Sequence, residues 1–106
     1  MEVTVTQMNA NDEVTIRTLF SDYCFRVMSP VECKGVLSGG RLSKEQEAIF
    51  VETIRPTSTA ASLSNHLKPG YRAVFLVGTS EMMKLTTSVI TEIVLSEVPS
   101  TAADDC

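Results

Sequence analysis

Three thiols, one imidazole and scattered carboxylates are the side chains able to do nucleophilic, acid–base or metal chemistry, and their spacing assembles none of those sites. Cys24, Cys33 and Cys106 are odd in number and form no Cys-x-x-Cys pair. His66 is the single histidine. With Cys24 or Cys33 it could act as base to a nucleophile. No feature of the chain brings them together, and no glycine-rich elbow or oxyanion-hole signature accompanies either cysteine. His66 therefore reads as a solvent-exposed loop residue. A structural zinc site needs about four ligands at suitable spacing, which one histidine and dispersed cysteines do not supply. The segment Ser38, Gly39, Gly40, Arg41 lacks the Lys and Ser or Thr of a phosphate-binding loop and reads as a hairpin turn. Glu45 and Glu47 would leave a helix on different sides and, with Lys44, look like solvated surface. A carboxylate pair would have to come from distant segments, such as Glu52 and Glu92. The expectation is no catalytic residue, no metal and no cofactor.

Cys24 and Cys33 are expected to be buried, reduced thiols acting as small hydrophobes, with a disulfide between them across neighbouring strands as the alternative. Cys106 is the last residue, whereas a prenylation signal places its cysteine fourth from the end. Arg17, Arg26, Arg55 and Arg72 fall within or at the end of strand-like segments. On the outer face of a barrel near Tyr23 or Tyr71 they could stack bases or bind an acidic partner. The plainer reading is outward residues that keep a sheet soluble. Nine Lys and Arg stand against thirteen Asp and Glu, a net charge of -4. Phosphate-binding surfaces draw on an excess of cations. That balance disfavours nucleic acid.

The elements that must position these residues are strands. Val14, Ile16, Thr18 and Phe20 alternate with Thr15, Arg17 and Leu19, and Tyr23, Phe25 and Val27 alternate with Cys24, Arg26 and Met28. This predicts a hairpin. Pro30 interrupts the ladder, Val31 to Leu37 resumes as a third strand, and Gly39 and Gly40 end it. Ser43 and Gln46 have capping-box spacing, which predicts one helical turn over Leu42 to Ala48. Ala48 to Ile54 reads as a buried central strand. Thr57 to Asn65 is rich in Ser, Thr and Ala and reads as a loop, with a short helix over Ser62 to Leu67 as an option. Tyr71 to Val77 is the clearest strand. Thr86 to Val98 is dense in β-branched residues and predicts a strand, a C-terminal helix being the alternative.

Laid out this way, Ile16, Thr18, Ser21, Tyr23 and Phe25, then Gly35, Leu37, Gly39 and Gly40, Pro69 and Gly70, and finally Thr87, Ser88, Val89 and Ile93 form a pattern. It resembles small uncharacterised bacterial and phage all-β proteins with a Thr-x-x-Ser-x-Tyr opening strand and a Thr-Ser-x-Val closing strand. The resemblance implies no activity and no ligand.

The fold expected is all-β: a small antiparallel barrel or sandwich of about six strands with one or two short helical turns, or α+β if the C-terminal segment is helical. Residues 1–98 form one β domain and 99–106 a flexible acidic tail. Met1 to Ala10 has neither the basic opening nor the apolar run of a signal peptide, and apolar runs such as Ala73 to Val77 and Ile93 to Leu95 are far short of a membrane span. A cytoplasmic protein is expected. Function reads as a non-catalytic interaction module, with a small enzyme or ligand pocket assembled from separate strands as the alternative. Alternation along Thr87 to Val98 would leave Ile90, Val94 and Val98 on one face and Val89, Thr91, Ile93 and Leu95 on the other. Both are too apolar for a solvated edge. A homo-oligomer through Ile90, Val94 and Val98 is therefore expected.

Overall fold

A computed structural model describes residues 2–40, 42, 44–55, 58–64, 66–79 and 81–96. Its strands are β1 (Val3–Thr4), β2 (Glu13–Thr18), β3 (Asp22–Ser29), β4 (Lys34–Gly39), β5 (Gln46–Arg55), β6 (Ser58–Ser64), β7 (His66–Leu67), β8 (Arg72–Val77) and β9 (Met83–Ser96). One 3-10 turn, Val5–Gln7, follows β1. All pairings are antiparallel, in the order β4-β3-β2-β9-β8-β5-β6, and β4 also pairs with β5. That last pairing closes six strands into a ring. β6 continues from it along the second half of β5, with Glu52 opposite Ser64 and Ile54 opposite Ser62.

The all-β expectation holds, and the C-terminal segment is a strand. Its β-branched residues suit a pleated surface better than a helical one. Other expectations are corrected. Gln46 to Ala48 opens β5 instead of ending a helical turn, because Leu37 and Gln46, Val36 and Glu47, and Gly35 and Ala48 are ladder partners. Ser43, its proposed cap, and Arg41 lie outside the described residues. Most of the expected Thr57 to Asn65 loop is strand β6, and His66–Leu67 is strand β7 pairing with β1, so no helix forms over Ser62 to Leu67. An unpaired half-edge of β5 outweighed the weak local preferences of Ser, Thr and Ala. The third strand begins at Lys34, and Val31 lies in the preceding turn, 85% exposed. The expected tail, 99–106, lies outside the described residues, as do 97 and 98.

Inward side chains fill the ring: Val14, Ile16, Tyr23, Phe25, Val27, Leu37, Ala48, Phe50, Ala73, Phe75, Val77, Ile90 and Ile93 belong to one buried cluster. Phe75 sits at its centre, with ring centroids 5.2 Å from Phe25 and 5.4 Å from Phe50. Each such aromatic contact contributes about 0.5–1.5 kcal/mol beyond burial. Val3, Val5, Met8 and Leu67 join the same cluster, so the N-terminal segment and β7 plug the end of the barrel where β2 begins. Strand direction puts the end of β2, the start of β3, the end of β4, the start of β5, the end of β8 and the start of β9 at the opposite end.

Four bulges interrupt the pairings of the ring, one of them at Met28, which has no partner where β3 passes β4. Val51 has no partner where β5 passes β8, Thr91 none where β9 passes β2, and Ala73 on β8 faces both Thr87 and Ser88. At this last bulge the buried Thr87 Oγ1 accepts a hydrogen bond from Ala73 N–H at 3.0 Å and donates one to the Ser88 carbonyl at 2.7 Å. A side chain thus satisfies a ladder donor that the bulge would otherwise strand. Gly35 is required where β3 and β4 cross closely, since a Cβ there would collide with the Arg26 carbonyl oxygen.

Candidate functional site

The expected arginine surface is dispersed. Arg17 is exposed on the outer face and ion-paired with Glu92 at 3.0 Å. Arg26 stands on β3 opposite Glu13 and Val36, Arg72 on β8 opposite Ile54 and Val89, and Arg55 at the end of β5. Acidic residues interleave with them on the neighbouring strands. Tyr23, expected beside this surface, is instead in the core, because its position on β3 shares the inward face with Phe25 and Val27. Tyr71 is half-buried, with the Lys68 ammonium 5.6 Å from its ring centroid.

The expected oligomer face is also divided. The bulge at Thr91 shifts the alternation of β9 by one residue, so Ile90 turns into the core at 1% exposure while Val94 stays on the outer face at 37%. Sequence alternation had grouped the two. Val98 lies outside the described residues.

The cysteines depart from expectation as well. Cys24 is disulfide-bonded and Cys33 is a buried thiol, so the two are neither both reduced nor joined to each other. Cys33 packs in the core, whereas Cys24, also buried at 6% exposure, alternates with Tyr23 and Phe25 and so lies on the other face of β3. They occupy opposite sides of the sheet. Burial pushes the Cys33 thiol above its ordinary pKa. His66 is not a free loop residue: its Nδ1 lies 3.1 Å from Glu2 Oε2 and 3.1 Å from Thr4 Oγ1, which ties β7 to the N-terminal plug. Among the described residues no group of three or more His, Cys, Asp or Glu could hold a metal ion, and no helix is long and apolar enough to cross a membrane.

The unplugged end of the barrel carries a different concentration of features. Leu19 and Phe20 project from the β2–β3 turn, 61% and 85% exposed, and Met82 and Met83 project from the β8–β9 turn, 42% and 72% exposed. The first turn is held at every amide. Thr18 N–H donates to the Ser21 carbonyl at 2.9 Å, Leu19 N–H to the Val89 carbonyl at 3.1 Å, Phe20 N–H to Ser88 Oγ at 3.3 Å and Ser21 N–H to Thr18 Oγ1 at 3.1 Å. Thr18 Oγ1 donates in turn to the Ser21 carbonyl at 2.6 Å. The Thr-x-x-Ser spacing noted in the sequence is thus a turn lock.

Beside this turn the same end opens into a groove of about 500 Å³ lined by Leu42, Gln46, Val77, Gly78, Glu81, Met83, Lys84, Leu85 and Thr86. The groove forms because β9 overshoots β2. Its first half pairs with β8 alone, and its second half, from Ile90, pairs with β2. Gly40 shapes the adjoining β4–β5 turn: its φ of +55° is left-handed, and a Cβ would strike the Tyr23 ring. Sequence reading missed this site, since Phe20 was counted as part of an alternating strand. The available signal was an aromatic residue inside a Thr-x-x-Ser turn.

No family model, curated protein or solved structure matches the chain.

Proposed function

We propose that this chain is a non-catalytic interaction module that works through the unplugged end of its barrel. The observation that carries this reading is Phe20, an aromatic side chain 85% exposed on a turn whose amides are all hydrogen-bonded. Exposing a phenyl ring forfeits the stabilisation of burying it, on the order of 1.5–3 kcal/mol. A rigid turn offers it with little ordering entropy left to lose on binding. Aromatic anchors of this kind, surrounded by smaller apolar groups, dominate protein interfaces. Leu19 adjoins Phe20 on the same turn, and Met82 and Met83, exposed at the same end of the barrel, can adapt to a partner's shape. The test is comparative capture from native lysate with wild-type protein and Phe20→Ser as baits, each retained species being identified by mass spectrometry. A partner retained by wild type and lost with Phe20→Ser supports the reading, and identical profiles refute it.

The groove favours a second reading, a small-molecule pocket, because its volume falls within the usual range for ligand sites and it mixes apolar walls with Gln46, Glu81 and Lys84. Amide shifts clustered on Val77 to Thr86 in a fragment screen by NMR would support that reading. Shifts scattered over the barrel would count against it.

A further inference from the structure

We propose that the partner at this end is a second copy of the chain, with the Leu19–Phe20 turn of each copy seated in the groove of the other. This rests on the interaction-module reading and adds the identity of the partner. Turn and groove are neighbours on one strand, since Phe20 N–H is bonded to Ser88 Oγ while Leu85 and Thr86 line the groove. At about 3.3 Å per residue along a strand they lie roughly 7–10 Å apart. A two-fold axis between them brings both turns to both grooves at once, which is the self-complementary arrangement of an isologous dimer.

Charge selects the same partner. Asp22 flanks the projecting turn at the start of β3, opposite Arg17, whose guanidinium is already paired with Glu92, and Glu81 and Lys84 flank the groove. Among the described residues, no ion pair engages Asp22, Glu81 or Lys84. Docking the turn in a second copy's groove would bring the Asp22 carboxylate toward the Lys84 ammonium. The apolar pieces match as well. Phe20 would enter between Leu42, Val77 and Leu85, and Met83 would fold over it. A patch this narrow falls at the small end of specific interfaces, below about 800 Å² per partner, which points to a dissociation constant in the micromolar range.

Sedimentation equilibrium across micromolar concentrations tests the proposal, with circular dichroism confirming that each variant keeps the β fold. Wild type should show a monomer–dimer equilibrium, and Phe20→Ser should raise the dissociation constant roughly thirtyfold. Asp22→Lys and Lys84→Asp should each weaken the dimer, and the two combined in one chain should restore it. A generic loss of surface would not produce that recovery. Val94→Lys, on the outer face, should leave self-association unchanged. A wild-type monomer throughout, a dimer indifferent to Phe20→Ser, or one dissociated by Val94→Lys would overturn the proposal. If wild type is monomeric yet Phe20→Ser still loses a captured protein, only the choice of a second copy fails. If the substitution changes neither measurement, the interaction reading falls with it.

Discussion

Cys33 shows how much of this protein is decided by which side of the sheet a residue faces. It sits at 5% exposure with a left-handed φ of 55°, at the end of the turn that leads into β4. Because burial raises its folded pKa above the unfolded value, the folded state holds the proton more tightly. The stabilisation is fully present below the unfolded thiol pKa and is lost as pH rises through the folded one. Stability measured by urea unfolding should therefore fall with pH above the ordinary thiol range, and Cys33→Ala should remove that component of the slope. A slope unchanged by the substitution would mean that another group is responsible. Cys24 obeys a different chemistry. Alkylation of the denatured protein without reductant should label Cys33 and leave Cys24 unmodified, and adding reductant should expose Cys24. The cytoplasmic expectation leaned on reduced cysteines, and a disulfide at Cys24 withdraws that support.

At the scale of elements, the bulges explain where sequence reading succeeded and where it stopped. Period-two alternation located β2 and β3, apolar runs located β5 and β8, and the density of β-branched residues located β9. None of these could foresee Thr91, where one extra residue moves Ile90 inward and leaves Val94 outside. The two positions should now behave oppositely. Val94→Lys should cost less than about 1 kcal/mol, as surface substitutions do. Ile90→Lys would bury an unpaired charge in the core and should abolish the cooperative thermal transition. Similar losses at both positions would show that the register of β9 is wrong. β6 escaped the sequence for a related reason: its Ser, Thr and Ala residues carry little local preference, and its pairing is supplied by an edge of β5 distant from any turn signal. The candidate site was legible only in part. Thr18 and Ser21 were visible as turn residues, but the overshoot of β9 that opens the groove is a matter of register, which composition does not encode.

For the whole molecule, ring closure by β4 and β5 leaves two ends that the chain treats differently. One is sealed by Val3, Val5 and Met8, all under 10% exposed, together with Leu67 from β7. The other, among the described residues, is edged with exposed apolar side chains. If the seal is part of the core, then removing it should be felt everywhere, because a ring of this size has no second core to fall back on. Three buried side chains at about 1.5–3 kcal/mol each amount to roughly 5–9 kcal/mol, which is comparable to the total stability of a small domain. A chain beginning at Asn9 should therefore unfold at a much lower urea concentration than the full chain, by about 2–4 M for a typical dependence on denaturant. Its hydrogen exchange should quicken in β2, β5 and β8 alike. An unchanged midpoint would mean that residues 2–8 merely rest on a barrel that is already complete, and the contrast between a sealed and a working end would lose its physical basis. Phe20→Ser makes the opposite control. It lies at the end away from the seal, so its unfolding midpoint should match wild type at concentrations where the protein is monomeric, and any loss it shows must then belong to binding.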